Sequence, residues 1–118
     1  MSCLFDSLSY FHHNINSHQM RNIIVNYLSN NPKLGGLLTS DLVKWEKNIT
    51  LNHYLRLMSN SNQWGGAIEI KAYCNIFKIN VKVQSLPNNK IIDFISNYNT
   101  TKYISIKWNG VHYVPCRL

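Results

Sequence analysis

A chain of 118 residues has the length of one domain with room for a real core, and 45% apolar against 14% charged residues excludes a disordered polypeptide. No stretch approaches ~20 consecutive apolar residues, and no basic segment followed by a long apolar one opens the sequence, so neither a membrane span nor a signal peptide is expected and the chain reads as soluble and cytoplasmic. A formal charge of +7 would suit a nucleic-acid or membrane partner, but lysines such as Lys44, Lys71, Lys82 and Lys107 stand singly, with no basic run, zinc-finger spacing or glycine-rich phosphate loop, which predicts a solvated basic surface without either partner.

The first predicted element is a helix from about Cys3 to His12, because Leu4, Leu8 and Phe11, with Phe5 alongside, recur at steps of three and four. A connector at Asn14-Ile15-Asn16-Ser17 leads to a second stripe of Met20, Ile23, Ile24, Tyr27 and Leu28 that stops before Pro32. Leu34 to Leu38, centred on Gly35-Gly36, is expected to be a loop. Ser40 is expected to cap a short helix through Trp45, and Thr50 another carrying Leu51, Tyr54, Leu55 and Met58. Asn60-Ser61-Asn62-Gln63 breaks the pattern. After Gly65-Gly66 a longer helix runs through Ile68, Ala72, Tyr73 and Ile76 to Phe77, with Glu69 spaced to cap its start.

The period then changes to alternation. Val81 and Val83 predict a strand, Pro87-Asn88-Asn89 a turn, and Ile91 to Ile95 a second strand. Tyr103 to Trp108 and Val111 to Pro115 flank Asn109-Gly110, a strong short hairpin signal. The expected architecture is an α/β (α+β) fold of helices around a small, largely antiparallel sheet, forming a single domain over residues 1–118.

Cys3 falls in the first turn of the first helix, where unpaired N–H groups and the helix dipole favour thiolate. A free cysteine titrates near ~8.5 and drops to roughly 3.5–7.5 in such a setting. His112, at the turn end of the last predicted strand, supplies an imidazole. Each has a plainer reading: Cys3 as a small buried hydrophobe, and His112 as a strand histidine. Cys74 lies beside a core stripe, and Cys116 shares the predicted His112 face. The three cysteines form no pairs and no close metal-ligand spacing, which predicts free thiols and no metal.

Four segments in order resemble the ovarian-tumour (OTU) family of cysteine deubiquitinases: Cys3-Leu4-Phe5 with Ser7-Leu8-Ser9, His18-Gln19-Met20-Arg21 with Val25, Tyr27 and Leu28, Tyr54-Leu55 through Met58 to Trp64-Gly65-Gly66, Glu69 and Ala72, and His112-Tyr113. The resemblance implies an OTU-like catalytic domain in which Cys3 is the nucleophile and His112 the base, acting on ubiquitin or a ubiquitin-like modifier with no cofactor, as a monomer. It implies a substrate groove beside Trp64, Gly65, Gly66, Asn109 and Val111, and an oxyanion hole from the backbone amides of Ser2 and Cys3. Many family members carry Asp or Asn two residues after the histidine. Here that residue is Val114, so a third catalytic residue is left unassigned. Two other functions stay open: an OTU-like ubiquitin-binding protein without turnover, and a basic nucleic-acid-binding module. The wealth of Asn, Ile and Lys suits an AT-rich genome, as of a virus or an intracellular bacterium acting in a host cytoplasm.

Overall fold

The computed structural model describes residues 3–116. Helix α1 (Cys3–Ser9) buries Leu4, Phe5 and Leu8, and lies against both α2 (Ser17–Ser29) and the last strand. It ends earlier than expected. After Ser9 the backbone tightens into three-residue bonds, with Phe11 N–H donating to Leu8 and His12 N–H to Ser9. His12 then turns inward, its Nε2 2.7 Å from the Tyr73 hydroxyl and its ring 4.5 Å from that of Phe77. Burial lowers the pKa of His12, so the neutral imidazole is favoured.

Two caps differ from expectation. The segment read as a connector contains a capping box: Asn16 Oδ1 accepts from Gln19 N–H at 2.8 Å, and Gln19 Oε1 accepts from Asn16 N–H at 2.9 Å. Helix α3 (Thr39–Lys47) starts one residue before Ser40. Its cap comes from across a turn, because Asn31 Oδ1 accepts from Ser40 N–H at 2.8 Å. That turn is no plain loop. β1 (Lys33–Leu34) and β2 (Leu37–Leu38) pair around Gly35 and Gly36, whose φ values of +64° and +94° only glycine adopts cheaply. Thr50 does cap α4 (Leu51–Met58), its Oγ1 accepting from His53 N–H at 3.2 Å.

Helix α5 (Ala67–Phe77) is buried along Ile68, Ile70, Ala72, Tyr73 and Cys74, and packs on a four-stranded sheet of order β4-β3-β5-β6. β3 (Asn80–Ser85) pairs antiparallel with β4 (Lys90–Phe94) and parallel with β5 (Tyr103–Trp108), which pairs antiparallel with β6 (Tyr113–Pro115). The sheet is therefore mixed, antiparallel in two of its three ladders. Alternation sends Val81, Val83 and Ile106 into the core and leaves Lys82 and Tyr103 outside, where the ammonium sits 4.9 Å from the ring.

The last hairpin is longer than Asn109-Gly110 suggested. Trp108 faces Tyr113, so the loop holds Asn109, Gly110, Val111 and His112. Asn109 Oδ1 accepts from both Val111 N–H (2.9 Å) and His112 N–H (2.8 Å), folding the chain back on the asparagine side chain in place of a two-residue turn. His112 stands in this loop, just before β6.

Candidate active site

Three segments converge. Cys3 opens α1 and is half-buried. Next to it, Leu4 and Phe5 press on Gly65: a Cβ at Gly65 would lie 2.8 Å from Leu4 Cδ2 and 3.0 Å from Phe5 Cε2. Trp64, the residue before, sets its indole 6.0 Å from the His112 imidazole at an interplanar angle of 34°. One dipeptide thus touches both the helix that Cys3 opens and the histidine. Tyr113, next after His112, lies within electrostatic reach of Cys3: burial raises its pKa, and charges at Cys3 and Glu69 raise it further.

The glycine that needs its small size is Gly65, not Gly66. At Gly66 a Cβ would meet nothing within 4 Å, and φ of −151° is ordinary extended backbone. Gly65→Ala should therefore destabilise the fold by about 1–3 kcal/mol, because the contacting atoms belong to fully buried side chains. Gly66→Ala should be nearly silent. Urea unfolding of both variants checks this, and equal midpoints would refute the packing argument.

Two buried ionisable side chains fix the backbone on either side of Trp64. Arg21 from α2, 1% exposed, sends Nη1 to the Met58 carbonyl at 2.8 Å and Nη2 to that of Gln63 at 2.7 Å, with its guanidinium 4.2 Å over the Phe5 ring. Glu69, also 1% exposed, accepts from Gly66 N–H at 2.7 Å and from the Tyr54 hydroxyl. Burial raises the carboxyl pKa, while these bonds and Lys47 oppose the rise. Glu69 is a capping residue, as its spacing suggested. A cleft of about 280 Å³ opens beside Trp64, Gly65 and Gly66, bounded by Glu46, Lys47 and Leu57.

Asn109 and Val111 belong to the loop that carries His112, Asn109 as its hydrogen-bonded clamp and Val111 exposed at its tip. The amide of Cys3, at the first helical position, has no acceptor within α1. The Ser2 amide lies outside the described residues. Cys116 lines a different cleft, with Phe11, Lys82 and Tyr103. Cys74 is buried, and burial pushes its thiol up to about 11, as befits an unreactive core cysteine. Among the described residues no group of three His, Cys, Asp or Glu side chains could hold a metal ion, and no helix is long and apolar enough to cross a membrane.

The apolar stripe read for the second helix leaves Arg21 out because it is charged, so periodicity gives no sign of its burial. The Asn109-Gly110 signal marked the turn but not its length.

The family model for OTU-like cysteine proteases matches residues 2–114. Ubiquitin thioesterase Otu1 of Drosophila melanogaster is 28% identical in an alignment 118 residues long that covers 97% of this chain and 32% of that protein. An OTU domain solved in complex with ubiquitin superposes with a TM-score of 0.76 at 25% identity, over 97% of this chain and 62% of that one. An OTU deubiquitinase from Wolbachia pipientis wMel, solved bound to ubiquitin, gives 0.65 at 19% identity over 97% and 88%. The chain thus spans about a third of the curated relative it matches and under two thirds of the first of these solved domains.

Proposed function

The chain belongs to the OTU-like cysteine protease family, and from that membership we propose that it is a deubiquitinase whose nucleophile is Cys3 and whose base is His112. The observation that carries the reading is the Trp64-Gly65 bridge, which packs on the residues following Cys3 and on the His112 ring at once.

The Cys3 thiolate attacks the carbonyl carbon of ubiquitin's terminal glycine, its proton having passed to His112. The tetrahedral intermediate places negative charge on the carbonyl oxygen, opposite the amide of Cys3. It collapses by breaking the bond to the lysine amine, which takes the proton from His112 and leaves an acyl-enzyme. Water, deprotonated by His112, then cleaves the thioester and restores the thiol. The exposed Trp64 and the cleft beside Gly65 and Gly66 form the wall along which a side-chain-free Gly-Gly tail lies. The Asn-, Ile- and Lys-rich composition supports an AT-rich source, viral or bacterial, with a host cytoplasm as the place of action.

Turnover of ubiquitin bearing a fluorogenic C-terminal amide tests the proposal. Release of the fluorophore, blocked by thiol alkylation, is expected. Saturable ubiquitin binding without release would instead support a binding protein that has lost its chemistry.

A further inference from the structure

The resemblance leads to the expectation of Asp or Asn two residues after the histidine, a position that Val114 occupies here, 45% exposed and apolar. Asn109 does not fill the gap with its side chain, because its Oδ1 already accepts from two backbone N–H groups. Its own N–H donates to the His112 carbonyl at 3.0 Å. The backbone of His112 is thereby fixed, while among the described residues no hydrogen bond holds its ring. What the ring meets is the indole of Trp64, at a separation and tilt proper to an aromatic pair.

We propose that Trp64 is the positioning residue for His112, its indole face setting the plane of the imidazole in place of a hydrogen-bond acceptor at position 114. This rests on the assignment of His112 as the base. Trp64 is equipped for the role because its own backbone is anchored on both sides: Arg21 holds the Gln63 carbonyl, Glu69 holds the Gly66 N–H, and Gly65 is wedged on Leu4 and Phe5. The electron-rich indole face also favours a cation above it, so the same contact stabilises the imidazolium that forms when Cys3 gives up its proton. Substrate-groove wall and imidazole mount are then two faces of one side chain.

The test separates the mount from the groove. In the 118-residue chain, the rate of Cys3 alkylation by iodoacetamide, read by peptide mass spectrometry, reports the thiol–imidazole pair without using the ubiquitin groove. Trp64→Leu, which keeps an apolar wall, should lower both this rate and kcat roughly two- to tenfold. Trp64→Phe should restore most of both. The His112 ring protons should lose an upfield ring-current displacement in Trp64→Leu, and the wild type should show nuclear Overhauser contacts between the two rings. A Trp64→Leu chain with raised KM but unchanged alkylation and unchanged His112 resonances overturns the proposal, as does a wild type without inter-ring contacts. A wild-type Cys3 no more reactive than Cys116 would refute the assignment of catalysis instead, with the His112 resonances still deciding the mount.

Discussion

Cys3→Ala should abolish the covalent adduct with ubiquitin carrying an electrophilic C-terminus, while leaving the circular dichroism spectrum and thermal midpoint nearly unchanged. The fold should survive because Cys3 is half-buried, and the helix it opens is anchored by Leu4, Phe5 and Leu8, which the substitution does not touch. His112→Ala should keep the thiol but slow adduct formation and turnover by roughly 10²–10⁴-fold, the usual worth of a positioned base. The two losses should not add, because each removes one half of a single device. Neither Cys116, in a separate cleft, nor Cys74, raised and buried, offers a substitute. Persistent labelling of Cys3→Ala would reassign the nucleophile.

Arg21→Ala carries the largest expected cost in stability. It removes the charged donor from the buried Met58 carbonyl and the part-buried Gln63 carbonyl, and a cation from the face of Phe5. Unsatisfied groups of this kind cost about 1–3 kcal/mol each, so a total of roughly 2–5 kcal/mol is expected against a domain stability of about 5–15 kcal/mol. Turnover of the surviving folded fraction should fall too, since residues 58–63 lead directly into Trp64. Arg21→Lys should recover only part, because an ammonium lacks the planar fork that reaches two carbonyls at once. A shift in urea midpoint worth less than about 1 kcal/mol would show that these carbonyls find water when the guanidinium is gone.

The elements with a long apolar period were legible. Met20, Ile24 and Leu28 declare α2, Ile68, Ala72 and Tyr73 declare α5, and the alternation of Val81 and Val83 declares β3 with its inward face. Where side-chain hydrogen bonds decide the backbone, periodicity was silent. Asn31, nine positions before Ser40, caps α3 by accepting Ser40's N–H, and Asn109 stretches a two-residue turn to four. Asn31 acts on a residue that only the folded chain brings near, and Asn109 on residues two and three further on, where the short turn and the longer clamp share one sequence signal. The resemblance points to Cys3, Trp64 and His112. It sets Gly65 and Gly66 together beside the groove, whereas the contact with Leu4 and Phe5 confines the need for a small residue to Gly65.

The packing of α1 on β6 has a kinetic meaning. The proposed nucleophile and base, Cys3 and His112, come together only by closing the long loop between them, after β5 has paired with β3 and β6 with β5. Local hairpins and helices form early at small entropic expense, and contacts of such sequence separation form late. During synthesis Cys3 emerges well before His112. A nascent or partly unfolded chain therefore holds a cysteine without its proposed base, and the activity proposed for the pair arrives only when α1 docks on β6.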